Sequence, residues 1–321
     1  MDFLKRRIIT AIAAFIVVLN LDFIIPRLVP GSAAEIFASG TKLPAVAVKL
    51  ISERLGLGQP LYVQYYLYLK GIFTNWPPYF GFSYQYYPTS VSSLIAARLP
   101  WTLLLISSSM LLSVVIGYFL AGITSLRRGG KGEFAALYSS ILFWATPAFW
   151  IGMILLWVFA VWLHWLPPFG NVTVGTTTTL GYASSIVTHA ILPVITLTAV
   201  VFGQNYILLR GSTQAVLKSD YVMAAQARGL KGRTVAFAYI LRNSLLPVVS
   251  LLGYSIASLV SSVVLVEAVF GYAGLGDLIV DAVVNRDYPV LEGSFFYITL
   301  MVIIGAVVGD LLARRLDPRL R

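Results

Sequence analysis

Six apolar runs, each of about 18 residues or more, constrain this chain more tightly than any other feature. They cover 8–25, 101–123, 134–163, 190–209, 248–270 and 295–312. A helix rises about 1.5 Å per residue, so roughly 20 apolar residues cross the ~30 Å hydrocarbon core of a bilayer. Inside that core every backbone N–H and C=O must be paired within the segment, which leaves the helix as the form for such runs. The whole chain is 58% apolar and only 11% charged, unlike a soluble domain. The expected fold is therefore all-α, a polytopic membrane protein with about six transmembrane helices. Lys5, Arg6 and Arg7 precede the first run as they would in a secretory leader. That run is long for a leader, and the PRLVPG that follows is poor for cleavage, so it is read as a retained span.

Charge sets the expected orientation, because basic residues near span ends stay in the cytoplasm. Sixteen of the 23 Lys and Arg fall before the first run, in 127–131, in 210–242 and in the last eight residues. The segment 163–189 has no basic residue, and 271–294 has only Arg286 against Asp277, Asp281, Asp287 and Glu292. Both are expected outside, with both termini in the cytoplasm and the chain in the plasma membrane. The net charge of +10 then reflects topology and contact with anionic lipid. No soluble basic face suggests nucleic acid.

The reading of organisation is one membrane domain over 1–321, with an extracytoplasmic insertion at 26–100 and a cytoplasmic loop at 211–246. The insertion is dense in Tyr, Trp and Phe between Leu61 and Tyr87, which points to a half-buried surface. Cysteine is absent, so disulfides and thiolate metal sites are excluded. His164 and His189 bracket an external loop, yet two histidines without H-x-x-x-H spacing do not make a metal site. GGKG at 129–132 lacks the glycine and hydroxyl that a phosphate loop needs at Ser125 and Gly132. Gly274 to Asp277 reads G-L-G-D, as in intramembrane aspartyl proteases, but no second membrane aspartate is apparent. Gly305 and Gly309 form a G-x-x-x-G suited to close helix contact, and Pro147 and Pro193 are expected to kink their helices. No catalytic or metal-ligating residue is expected, and no cofactor.

Polar residues within the runs mark faces turned to protein or water. Gln204 and Asn205 on the fourth run, with Ser255 and Ser258 on the fifth, are candidates for a translocation path, and Glu267 is the candidate intramembrane carboxylate. Packing of small polar residues between helices is an equal reading for the serines.

Between the fourth and fifth runs lies DYVMAAQARGLKGRTVAFAYILRNSLLP, at 220–247. Asp220 is the expected N-cap, 221–228 the helix and Gly229 its left-handed stop. Tyr221, Ala224, Ala225 and Arg228 are expected on one face, with Ala227 beside them. This stretch resembles the EAA loop of ABC-transporter permeases, with Met223, Ala224 and Ala225 at the E-A-A positions and Gly229 at the motif's glycine. The acidic residue of that motif is missing, which favours the dipeptide/oligopeptide branch. The blocks RLVPGS, LGLGQPLYVQYYLYL, ARLPWTLLL, SLRRGGKG, PAFWIGM, WLPPFG, HAILPVITL, GLGDLIVDAVVNRDYPV and LDPRLR continue that likeness along nearly the whole chain.

The resemblance implies a type I importer permease that forms half of a pathway for short peptides. Implied partners are a homologous second permease, two cytoplasmic ATPases and an extracytoplasmic solute-binding protein, with ATP and magnesium used by the ATPases. Asp220, Tyr221, Ala224, Ala225, Ala227, Arg228 and Gly229 would dock an ATPase. Import of oligosaccharides or chelated nickel is the alternative within the family. An ion-coupled secondary transporter, or an intramembrane protease, is the alternative outside it.

Overall fold

The computed structural model describes residues 2–28, 46, 49, 53, 58–125, 130–175 and 177–316. Parts of four blocks quoted above, 29–32, 55–57, 126–129 and 317–321, lie outside the described residues, as does most of the first half of the expected insertion. The architecture is all-α: α1 (Asp2–Arg27), α2 (Leu61–Thr74), α3 (Val91–Ser125), α4 (Lys131–Ala145), α5 (Ala148–Leu155), α6 (Thr179–Val216), α7 (Asp220–Ala227), α8 (Leu252–Val269), α9 (Leu275–Val284) and α10 (Tyr288–Leu316). Short helical pieces fill 232–250.

Among the described residues, five helices are long and apolar enough to cross a bilayer: α1, α3, α6, α8 and α10. The sixth expected span, 134–163, is not one straight helix. It is α4 followed by α5 and a π-helical turn at Leu156–Trp162, bent by 105°. The cause is local, since a proline's ring crowds the residue before it out of the helical region. Thr146 accordingly sits at φ −92°, ψ 132°, and α5 restarts behind Pro147. Pro193, by contrast, is carried inside an unbroken α6.

Several helices also extend further than apolarity alone suggests, α3 from Val91 and α1 from Asp2 among them. α6 begins at Thr179, where the Thr178 hydroxyl accepts from Gly181 N at 3.2 Å, and α10 begins at Tyr288, ahead of Glu292 and Ser294. Helices can project beyond the hydrocarbon, so polar first turns end the apolar signal before they end the helix. His189 consequently lies buried within α6, its Nδ1 2.8 Å from the Ser185 carbonyl, and does not border a loop.

The described chain forms two compact units, Met1–Thr102 with Ala273–Ile303, and Leu103–Tyr272 with Ile304–Arg321. In the first, an aromatic core joins α1, α2 and α10: Phe23 meets Tyr65 at 5.1 Å between ring centres, and Phe80 meets Phe296 at 5.3 Å. Tyr68, Phe80 and Tyr84 are buried while Tyr62, Phe73 and Trp76 are exposed, the half-buried pattern expected of 61–87. In the second, α6 runs along α4 and also meets α5 and α8. Its core gathers Ala121, Ala136, Phe202, Tyr206, Leu209, Leu241 and Val248. The G-x-x-x-G of α10 packs on α8: a methyl group on Gly309 would lie 2.8 Å from the Gly253 nitrogen, so only glycine allows this approach.

Candidate coupling helix and pathway residues

α7 is built by its ends. Ser219, not Asp220, is the N-cap, at φ −80° and ψ 146°, so the helix starts one residue earlier than expected. The Ser219 hydroxyl donates to the Val216 carbonyl at 2.5 Å, which leaves the first turn to the charge of Asp220. At the other end Gly229 takes φ +73°, and two bonds close a Schellman motif: Gly229 N to Gln226 O at 2.9 Å and Leu230 N to Ala225 O at 3.4 Å. With its C-terminus closed by this motif, an eight-residue helix that would be marginal in isolation is held.

One face of α7 is anchored. Val222 and Ala225 are buried against Val235 and Ile240, with Val216, Leu217, Leu230 and Tyr239 around them. This corrects the expected docking face, because Ala225 points into the protein. Tyr221, Met223, Ala224, Ala227 and Arg228 are exposed, and Lys231 and Arg233 extend the exposed charge beyond Gly229. Val222 was not singled out from the sequence. The i, i+3 spacing of Val222 and Ala225 was the available signal for an anchored side.

Beside this loop, the Arg210 guanidinium grips Glu133, with both Nε and Nη2 at 2.9 Å from Oε1, and ties the start of α4 to the last turns of α6. Sequence reasoning missed this pair. Each partner stands alone at the edge of an apolar run, and that isolation was the only sign.

The pathway candidates fall into two groups. Gln204 and Ser258 are partly exposed. Asn205, Ser255 and Glu267 are enclosed, at 2%, 1% and 0% exposure. Asn205 donates to Ser113 Oγ at 3.1 Å, Thr198 Oγ1 to the Ser109 carbonyl at 3.5 Å, and Ser109 Oγ to the Val194 carbonyl at 3.3 Å. These bonds cross from α6 to α3, so the buried polar groups there hold helices of one unit together. Glu267 ends α8 inside the fold; burial, and then its negative charge, push the nearby Tyr272 phenol above its ordinary value.

The acids of 271–294 are all engaged within the first unit. Asp277 Oδ2 lies 3.0 Å from Arg98 Nη1, in an ion pair that is unlike the shared proton of a protease dyad. Tyr86 donates to Asp281 at 2.8 Å, and Asp287 accepts from Ser83 Oγ and, at 3.1 Å, from Gln85 N. Burial raises the carboxyl of Asp277 while Arg98 opposes, and burial raises that of Asp287 against its hydrogen bonds. Glu292 pairs with Arg27.

Comparison with known proteins agrees with this architecture along the full chain. The family described as "Binding-protein-dependent transport system inner membrane component" matches residues 113–321, and its N-terminal counterpart matches 1–106. The oligopeptide transport system permease protein AppB of Bacillus subtilis is 32% identical over 99% of this chain and 98% of its own length. OppB of Haemophilus influenzae, an oligopeptide transport system permease protein, is 30% identical over 100% and 99%. The glutathione transport system permease protein GsiC of Salmonella choleraesuis is 32% identical over 100% and 99%. The chain therefore belongs to the binding-protein-dependent transport system inner membrane components, as a multi-pass permease subunit.

Proposed function

We propose that this permease serves an ATP-driven importer of short peptides. The observation that carries the reading is similarity, at 30% to 32% identity over full length, to permeases named for oligopeptide and glutathione transport. In this reading the chain is one half of a pathway whose other half is a homologous permease. Two cytoplasmic ATPases bind below, using ATP and magnesium, and a solute-binding protein docks outside. Both termini and the loop 211–246 are cytoplasmic, and 26–100 is the extracytoplasmic insertion of a single membrane domain.

The exposed face of α7, with Tyr221, Ala224, Ala227 and Arg228, fits a groove of an ATPase. Asp220 and Gly229 set its ends, and Ala225 holds it from behind. A helix closed at its C-terminus and anchored through Val222 moves as a body. Closure of the ATPase pair on ATP would thus pull on α6 and the run 232–250, shifting the population between inward-facing and outward-facing states. Gln204 and Ser258 are the candidates for contact with solute; Asn205, Ser255 and Glu267 fix the helices that carry them.

The test is ATPase rate in liposomes holding the full complex. Binding protein loaded with peptide should raise hydrolysis above that seen with unloaded protein, since docking favours the state in which the ATPases close. Stimulation by oligosaccharide-loaded protein alone would reject peptide as the cargo.

A further inference from the structure

α2 presents three different faces. Tyr68, Gly71 and Ile72 are buried. Gln64, Lys70 and Thr74 turn to a cavity of about 450 Å³ in the first unit, so a second side of the helix is polar and open. On the third side Tyr62, Tyr66 and Phe73 are exposed, with Leu69 partly exposed between them. These four residues fall at i, i+4, i+7 and i+11, which makes one stripe along a helix. Trp76, 93% exposed, stands just past its end.

Such a stripe suits either a partner protein or lipid, and depth decides between them. α2 lies beside α1, not above its end. Tyr65 Oη donates to Asn20 Oδ1 at 2.8 Å, and the rings of Tyr65 and Tyr68 lie 5.1 and 5.6 Å from that of Phe23. Asn20 and Phe23 both belong to the 20-residue apolar span Ile8–Arg27. The packing then runs deeper: Tyr68 meets Phe80 at 6.4 Å, Phe80 meets Phe296 at 5.3 Å, and Phe296 meets Phe15, near the middle of that span, at 5.6 Å. A helix of 20 residues is about 30 Å long, no more than the hydrocarbon it must cross. Whatever packs on Asn20 and Phe23 is therefore at membrane depth, below the reach of a soluble partner. α1 leaves Leu21, Ile24 and Ile25 exposed at the same level, as a lipid-facing surface does. With 14 residues α2 is too short to cross a bilayer, and aromatic rings on one side with Lys70 on another suit a helix lying in the interface.

We propose that α2 is seated in the leaflet at the Arg27 end of α1, its stripe of Tyr62, Tyr66, Leu69 and Phe73 against phospholipid and Lys70, at the border of stripe and cavity, reaching the phosphate level. The orientation of the chain does not enter, because Arg27 marks one leaflet whichever side it faces.

A chain without cysteine allows single nitroxide labels to test this. In the full complex in phosphatidylcholine liposomes, labels at Tyr62→Cys, Tyr66→Cys and Phe73→Cys should be reached better by oxygen than by a water-soluble nickel chelate, as a label at Ile16→Cys on the exposed side of α1 should be. Thr74→Cys on the cavity wall and Val174→Cys, at a position 99% exposed, should show the reverse, so the oxygen-to-nickel ratio should drop severalfold from Phe73 to Thr74. A melting temperature within about 2 °C of the parent's shows that a labelled protein is folded. Low access to both reagents along the stripe would mean that a protein covers it, and nickel access equal to that at Val174 would mean that water does; either result overturns the proposal. Equal ratios at Phe73 and Thr74 would overturn the division of α2 into a lipid face and a water face.

Discussion

Two short helices, α7 with eight residues and α9 with ten, put similar sequence material to opposite use. Both carry acidic first turns, and a glycine stands at one end of each. α9 buries Leu275, Gly276, Leu278, Ile279 and Ala282, ties Asp277 to Arg98 and Asp281 to Tyr86, and fixes its first amide through Thr102 Oγ1 at 2.8 Å from Leu275 N. α7 buries only Val222 and Ala225 and leaves Tyr221, Ala224 and Arg228 in the open. A helix buried and bonded along most of its length, with only Val283 and Val284 left open at its end, is a strut. A helix anchored on one side and rigidly capped is a surface held out for something else.

The comparison is sharpened by substitutions that should separate anchor from surface. The largest effect is expected for Ala225→Asp, which puts a carboxylate among Val222, Val235 and Ile240 and should destabilise the loop by about 4 kcal/mol. Hydrogen exchange should then rise about 1,000-fold across 220–241, with ATPase stimulation lost because the helix itself has come loose. Unchanged protection would mean that α7 is not anchored as described. Next comes Asp287→Ala, at the edge of α9. It leaves Ser83 Oγ and Gln85 N without their acceptor in a site 1% exposed, at about 3 kcal/mol. Exchange in 275–291 should rise about 100-fold, and a smaller change than in an α7 surface variant would break the distinction between strut and surface.

The sequence supports the membrane class, the number of apolar runs and α7 to within one residue, because each depends on neighbours along the chain. Apolar length needs no knowledge of packing, and Gly229 announces a left-handed stop wherever the loop folds. What escaped depends on long separations or on angles. Arg27 with Glu292, Arg98 with Asp277 and Glu133 with Arg210 are 265, 179 and 77 residues apart, and a hydropathy reading takes one run at a time. Pro147 was visible as a kink, but the 105° bend that splits its span was not. Which side of α7 faces inward was decided by Val235 and Ile240, beyond the helix; the face drawn through Ala225 therefore went wrong by one position.

The smallest structural effect is expected where the functional one should still be large. Arg228 is exposed, caps α7 through its backbone and has a side chain that enters none of the hydrogen bonds or ion pairs described above. Its nitrogen donates to the Ala224 carbonyl at 3.0 Å, a bond that any side chain but proline's would keep. Arg228→Ala should therefore leave the melting temperature within about 2 °C of the parent and exchange across 220–241 unchanged. If the open face of α7 is where an ATPase binds, the same change removes a cation from the rim of that contact and should weaken assembly in a salt-dependent way. Titrating the ATPase onto permease in detergent at low and high salt would show it. An affinity equal to the parent's at both salts, with the fold intact, would move the docking surface away from Arg228, and a loss of protection in 220–241 would instead make Arg228 part of the anchor.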